Sequence, residues 1–407
     1  MADERAGSAP LTRHPRVLFV THNAPRFEGD AAGSFVLRLA VALQAHGAEV
    51  EVLAPGAAGL AETSRLEGVV IRRVRYASDR DMTLAYTGKM AEAVRGAWRA
   101  RLAFIGLLRA FRTAVRGQLD AAVRAGAPYD VVHVHWWFPS GLALWRALRS
   151  SDPPMIITMH GSDIRLAASM PIAHGVMRAV LGRAARCTAV STWLADSSRR
   201  IAPAVPVEVA PMPVDVRHFT LPTHATPRRD LLFVGRLNAQ KGLADLLDAM
   251  ETAALQDISL DIVGDGTDGA KLREQADALG ITSRLRWHGA LSQPMLVPLY
   301  QRAAAVAMPS RGEGLGLVAV EAQLCGAPVV AYADGGLVDV VRQDHGGTLV
   351  PVGDVGALAL ALGTLSANVE LAAKQGALAR EAILTRFAPD VVAARYLALY
   401  ADLGAPQ

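Results

Sequence analysis

The chain of 407 residues and 43.0 kDa is 51% apolar and 20% charged, a balance that excludes disordered and coiled-coil classes and predicts two globular domains. Its formal charge of +4 is unevenly distributed: residues 1–205 hold 26 basic against 16 acidic side chains, a net +10, whereas residues 206–407 hold 16 against 22, a net −6. Two distant cysteines, Cys187 and Cys325, with no CxxC and no zinc-ligand spacing around them, exclude a disulfide framework.

The first residues, MADERAGSAPLTRHP, carry acids and a proline but no apolar run, so they do not read as a signal peptide. No stretch approaches 18 uncharged apolar residues, and the expectation is a cytoplasmic protein. Short β-rich runs then alternate with helical patterns. RVLFVTHN (16–23), a helix over 33–46, AEVEVLAP (48–55), GVVIRRVRY (68–76), DVVHVHWW (130–137), MIITMHG (155–161), CTAVS (187–191) and VEVAPMPV (207–214) predict a first parallel sheet in an α/β domain. Between them, residues 89–126 read as a basic, apolar helix pair with Arg95, Arg99, Arg101, Arg109, Arg112, Arg116 and Arg124 beside Trp98, Phe104 and Leu107. That pattern suits either contact with an anionic membrane surface or an ordinary helix pair packed on the domain with its arginines in solvent. The aperiodic stretch 216–229, with two prolines, predicts a linker after a first domain of 1–215.

The same alternation restarts over 230–386. LLFVGRL (231–237), ISLDIVG (258–264), LRWHG (285–289), AAVAMPS (304–310), PVVAYAD (328–334) and GTLVPVG (347–353) predict a second parallel sheet. Helices are expected near 241–253, 268–279, 294–303 and 314–325. A final helix over 387–403, within a segment 387–407, is expected to cross back to the first domain. Two doubly wound Rossmann-like domains facing across a cleft place chemistry in the loops that follow the strands.

Two clusters carry that chemistry. In MPSRGEGLGLVAVEAQ (308–323) a strand ends in a turn with Gly312, Gly314 and Gly316 that opens a helix, whose free N–H groups attract phosphate. Glu313 and Glu321 stand eight residues apart, roughly 12 Å if both were helical, too far to act as one acid and nucleophile pair and suited to gripping two ends of an extended ligand. In FVGRLNAQKG (233–242), Arg236 and Lys241 follow a strand at the start of a helix. A cation there opposes the helix dipole unless an anion binds, and a diphosphate fits.

VGRLNAQKG followed by PSRGEGLGLVAVEAQLCGAPVVAYADGG resembles the signature of family 4 glycosyltransferases, with the GT-B fold and an E-x7-E motif. The first half resembles the family through Gly33 in AGSFVLRLAVAL, the strand YDVVHVHW and MHGSD (159–163). The chain departs from the family pattern at Leu315, where Phe is usual, and at Val338-Asp339, where Pro-Glu is usual. The resemblance implies a retaining, metal-independent transfer of a hexose-type sugar from a nucleotide diphosphate sugar, with UDP the first donor expectation and GDP the second. It implies that Arg236 and Lys241 bind the diphosphate, that Glu321 holds the ribose and Glu313 the sugar hydroxyls, and that the amides of Gly314, Leu315 and Gly316 meet sugar or phosphate. It further implies that Gly33 approaches the phosphates, and that Asp265, Gly266, Trp287 and His288 fall on loops lining the base pocket.

His160 follows a strand and precedes a glycine; it is expected to bind the sugar's primary hydroxyl or to stabilise the anomeric cation through its backbone carbonyl. Asp163 orients it or faces an acceptor hydroxyl. No cofactor and no metal are expected. The alternative from another class is a catalytically silent nucleotide-sugar-binding subunit that scaffolds a partner enzyme. A Rossmann dehydrogenase is excluded because VLFVTHNAPRFEGD lacks G-x-G-x-x-G, and nucleic-acid binding because the basic half lacks interleaved aromatics.

Overall fold

The computed structural model describes residues 14–30, 32–86, 90–224 and 228–404. The leading segment up to residue 13, Lys89 of the basic stretch and residues 225–227 of the expected linker lie outside the described residues. The described residues form two compact units. Those within Met1–Val190, Leu194–Pro213 and Pro389–Gln407 make the first, and Ser191–Trp193 with Val214–Ala388 make the second.

The first unit is built on an eight-stranded sheet: β1 (Arg16–Thr21), β2 (Glu49–Pro55), β3 (Thr63–Leu66), β4 (Val69–Val74), β5 (Val131–His135), β6 (Met155–Met159), β7 (Arg186–Ala189) and β8 (Val207–Val209). Their order is β3-β4-β2-β1-β5-β6-β7-β8. β5 and β6 are buried at every position, as strands covered on both faces by helices must be, and the burial includes the polar His133, His135 and Thr158. All pairings are parallel except β3 with β4, an antiparallel edge pair that corrects the expectation of a wholly parallel sheet. TSRL of β3 is short, polar and at the edge, so it carried no apolar signal.

The helical stretch divides at Ala97, whose backbone is extended, into Met90–Gly96 and Trp98–Arg124. Leu107, Phe111, Val115 and Leu119 recur at four-residue spacing and bury the inner face of the longer helix, each contributing about 1.5–3 kcal/mol. The last helix, Pro389–Gly404, belongs to this first unit and packs on the helix Ser34–Ala45. Tyr396 of that helix donates to the Ala210 carbonyl at 3.0 Å, and Tyr400 meets His133 Nδ1 at 2.7 Å.

The second unit holds a six-stranded parallel sheet: β9 (Asp230–Val234), β10 (Leu260–Val263), β11 (Leu285–Gly289), β12 (Ala303–Met308), β13 (Val329–Tyr332) and β14 (Thr348–Val350). The order β11-β10-β9-β12-β13-β14 reverses between β9 and β12, the topological switch point at which such sheets open a crevice beyond their strand ends. Helices Leu243–Glu251 and Val355–Ala367 cover its core with Leu246, Leu247, Leu358 and Leu362 fully buried. Among the described residues no single helix is long and apolar enough to cross a membrane.

Candidate functional site

At the switch point of the second unit, two loops are bound to each other by their backbones. After β9, the Gly235 and Leu237 amides donate to the Val263 and Asp265 carbonyls at 3.0 and 2.9 Å. Asn238 then caps a 3-10 turn, Ala239–Lys241, by accepting from the Lys241 amide at 3.3 Å. Lys241 therefore ends a separate turn rather than opening the helix, which starts at Leu243; this corrects the expected helix boundary, and Gly242 is the hinge. With φ of +71° and the position of a Cβ only 1.9 Å from the Pro309 carbonyl oxygen, Gly242 occupies a place that no side chain fits.

After β12, the Arg311 amide donates to the Gln240 carbonyl at 2.8 Å, so the two loops are mutually fixed. The Gly-rich turn is held from beneath by Asp334, whose carboxylate accepts from the Gly312 and Gly335 amides at 2.8 Å each, and by the Gly336 amide donating to the Glu313 carbonyl at 2.7 Å. The helix Leu317–Leu324 begins directly after Gly316. This construction brings the Lys241 ammonium onto the Glu313 carboxylate, both largely buried, while Arg236 stands exposed at the end of β9 with no side-chain partner among the described residues. A cation pair, a row of turn amides around Gly314, Leu315 and Gly316, and a helix N-terminus thus share one strand end. Glu321 lies one turn further in, where the fully buried Tyr300 hydroxyl donates to it at 3.0 Å and fixes its orientation; burial pushes the Tyr300 hydroxyl well above its usual pKa, so it stays a donor.

Asp265 and Gly266 occupy the loop after β10, with Asp265 accepting from the Ala290 amide at 3.1 Å. Trp287 and His288 are not on a loop. Both lie within the edge strand β11, as the strand pattern of LRWHG predicts, which corrects the loop location implied by the family resemblance. His288 Nε2 is 2.6 Å from the buried Asp261 carboxylate, and Trp287 lies under the Arg273 guanidinium at 4.4 Å. Burial alone would raise the Asp261 carboxyl, but hydrogen bonds from Arg286 and His288 outweigh it and hold the group at about 2. Sequence reasoning missed Asn238, Tyr300 and Asp334. The Asp-Gly-Gly run at 334–336 was the readable signal for the last of these.

Gly33, His160 and Asp163 belong to the first unit. Gly33 has φ +67° and its Cβ position lies 2.3 Å from the Asn23 carbonyl oxygen, so close backbone approach within this unit already demands glycine. Asp163 is 2% exposed, and its Oδ1 accepts from the His160, Gly161 and Ile164 amides at 3.3, 3.0 and 3.0 Å while Oδ2 accepts from the Trp137 amide at 3.2 Å. It shapes the turn that carries His160. His160 Nε2 meets His135 Nδ1 at 3.0 Å, and its ring packs on Trp136 at 4.3 Å and Phe35 at 5.0 Å.

Burial keeps these histidines neutral. It lowers His22 to about 4 and His133 to about 3, and holds His135 and His160 well below the usual imidazole value, with neighbouring histidines adding to the effect on the last two. Since the unfolded chain takes up protons near pH 6.5 whereas His22 and His133 do so in the folded unit only near 4 and 3, stability is full above pH 6.5, and these two each remove about 2 kcal/mol by pH 5; His135 and His160 act in the same direction. Asp163 works the other way: burial raises it to about 6 against the partial pull of its amide donors, so it protonates first in the folded state and offsets about one histidine. Unfolding midpoints in urea between pH 7.5 and 5 are expected to fall steeply, and His133→Phe is expected to flatten the slope; a flat profile in the parent protein would exclude this account.

The profile of the family described as Glycosyl transferases group 1 matches residues 221–382, and that of Glycosyltransferase Family 4 matches residues 32–218. The D-inositol 3-phosphate glycosyltransferase of Xylanimonas cellulosilytica is 34% identical over 432 aligned positions, covering 97% of this chain and 98% of the relative. The sucrose-phosphate synthase of Thermosynechococcus elongatus shares the fold with a TM-score of 0.76 at 23% identity, over 96% of this chain and 99% of that one. Anabaena HepE in complex with UDP-glucose superposes with a TM-score of 0.65 at 16% identity, over 96% and 100%.

Proposed function

The chain belongs to glycosyltransferase family 4 and has the GT-B fold, and from that premise we propose that it moves a hexose-type sugar from a UDP-sugar, with a GDP-sugar as second choice, to an acceptor hydroxyl with retention and without a metal. The observation that carries the proposal is the Lys241–Glu313 ion pair beside the exposed Arg236 and the Gly312–Gly316 turn. In the free chain the carboxylate answers the ammonium. A bound diphosphate takes over that ammonium together with Arg236 and the turn amides, and Glu313 is released toward the sugar hydroxyls. Glu321, oriented by Tyr300, accepts from the ribose diol, and Asp265 and Gly266 stand toward the base. The UDP-glucose in HepE supports the choice of uridine.

As the bond from the anomeric carbon to the phosphate oxygen breaks, its electron pair leaves with the diphosphate, where Arg236 and Lys241 meet the growing charge in place of a divalent ion. The acceptor oxygen attacks from the same face, and its proton passes to the departing phosphate oxygen, so the configuration is retained without a protein nucleophile. Neutral His160 contributes a hydrogen bond to the sugar or its backbone carbonyl to the anomeric cation. The hydroxyl acceptor is a polyol, the inositol 3-phosphate in the name of the Xylanimonas relative being one such compound. Thermal-shift titration with UDP, GDP and ADP tests the donor half: UDP at 100 times its Kd is expected to add about 2.7 kcal/mol, undiminished by EDTA, and no shift with any of the three would sink the proposal.

The enzyme acts in the cytoplasm at an anionic membrane surface. Trp98, Leu102 and Ile105 are 65%, 58% and 45% exposed and share the outer face of the helix Trp98–Arg124, bordered by Arg99, Arg101 and Arg109. Arg101 donates to the Val94 and Arg95 carbonyls rather than to an acid, so its charge stays available. Co-sedimentation with phosphatidylglycerol vesicles is expected to be strong at low salt and to weaken as salt rises; salt-independent or absent binding would reduce these arginines to ordinary surface.

A further inference from the structure

His133 and His135 stand two residues apart on β5, on one face of the strand, with their rings stacked at 4.3 Å. Their hydrogen bonding differs. His133 meets a hydroxyl at each ring nitrogen, Tyr400 at Nδ1 and Thr158 at Nε2, both at 2.7 Å. A hydroxyl both donates and accepts, so that ring is satisfied in either tautomer. His135 is fully buried and meets a second imidazole instead: its Nδ1 lies 3.0 Å from His160 Nε2, and its own Nε2 is buried without a hydrogen-bond partner.

That asymmetry fixes the protons of both rings. Burial keeps the two imidazoles neutral, so one proton lies between them. If it belonged to His160 Nε2, His135 would carry its own proton on Nε2 as a buried N–H with no acceptor. Phe19, edge-on at 4.8 Å, and the stacked His133 offer only ring faces there, which are second-order acceptors. If the proton belongs to His135 Nδ1, the unpartnered Nε2 is a bare lone pair, and unpaired buried donors are the rarer fault in folded proteins. His135 is then the donor and His160 Nε2 the acceptor, which leaves the His160 proton on Nδ1.

His160 is half-buried, and among the described residues its Nδ1 has no partner, its amide being bound by Asp163 and its Nε2 by His135. The one polar ring atom left for a ligand is therefore an N–H, on a ring steadied by Trp136 and Phe35.

We propose that His135 is a positioning residue for the transfer reaction: by donating to His160 Nε2 it holds His160 in the Nδ1–H form, so that His160 offers a sugar oxygen a fixed donor and has no free lone pair with which to take a proton. The role in transfer rests on the glycosyltransferase reading above, whereas the tautomer does not, and the two are read separately. Long-range proton–nitrogen NMR spectra of the full chain with isotopically labelled histidine, assigned by the signals lost in His135→Asn and His160→Gln, report the tautomer with no substrate present. Both His135 and His160 are expected to be protonated at Nδ1 and bare at Nε2. In His135→Phe, which keeps a ring and loses the donor, His160 is expected to become a mixture of tautomers, and kcat for UDP-glucose hydrolysis is expected to fall about five-fold, the worth of one neutral hydrogen bond. The UDP thermal shift is expected to stay as in the parent. His135→Asn, whose amide nitrogen stands near the place of Nδ1, is expected to restore both the tautomer and most of the rate. Should His135→Phe fold poorly, His135→Leu asks the same question. A proton on His160 Nε2 in the parent, a tautomer unmoved by the loss of the donor, or parent-like turnover in His135→Phe would each overturn the assignment while a normal UDP shift left the donor reading standing. Absence of any UDP response in the parent would remove the reaction that His135 is assigned to serve, and the spectrum would still judge the tautomer.

Discussion

Replacing Lys241 by alanine is expected to lower turnover by two or more orders of magnitude while the fold persists. The ammonium is the one buried cation held at the shared end of the loops after β9 and β12 among the described residues, and it is fixed there by the Asn238 cap and by Glu313. A preorganised donor facing charge that develops in the transition state is worth 10²–10³ in rate, about 2.7–4 kcal/mol. Removing it also leaves the Glu313 carboxylate, 8% exposed, without its counter-charge, so UDP affinity is expected to fall as well. Lys241→Arg keeps the charge but not the point geometry and is expected to recover part of the rate. The measurement is kcat and kcat/KM alongside circular dichroism and the UDP shift; normal turnover in Lys241→Ala would remove this residue from the reaction.

Gly242→Ala is expected to be almost as severe, for a reason unrelated to charge. The added methyl group would stand 1.9 Å from the Pro309 carbonyl oxygen, and the residue's φ of +71° is itself unfavourable for alanine by about 1–2 kcal/mol. Neither can be relieved without separating the Lys241 turn from the loop that carries Glu313. A combined loss of about 2–4 kcal/mol is expected, together with a drop in kcat of ten-fold or more, because positioning errors of about 1 Å already cost large factors in rate. Calorimetric unfolding and steady-state kinetics on the variant decide it. Parent-like stability would mean that the loops are free to part, against the backbone bond from Arg311 to the Gln240 carbonyl.

The residues proposed to hold the donor were legible because their chemistry is local. Arg236, Lys241, Glu313 and the glycines of 312–316 sit in two short stretches, each at a strand's carboxyl end, and each stretch could be located by its own apolar run and its own turn residues. Glu321 could be named, but not why it is held still, since its partner Tyr300 lies on a different helix and is joined to it only by packing. LRWHG was legible as a strand, and only the loop position that the resemblance implied for Trp287 and His288 failed; the buried Asp261 on the adjacent strand β10 is what draws His288 in. The strand β3 was invisible because TSRL is short and polar.

By itself the sequence determined the α/β alternation, the two sheets, the family and the two strand-end loops proposed to hold the donor, because apolar periodicity and glycine placement act over a few residues at a time. Only the tertiary structure decided which side chains meet across distance. It joined Lys241 to Glu313 over 72 residues, gathered His22, Trp136 and Ser162 from three strand ends around one cavity, and returned the final helix to the first unit, where Tyr400 meets His133. Parallel strands are brought side by side by crossovers of differing length, so contacts at their ends follow strand order rather than sequence separation, and strand order is settled by how the helices and sheet faces pack.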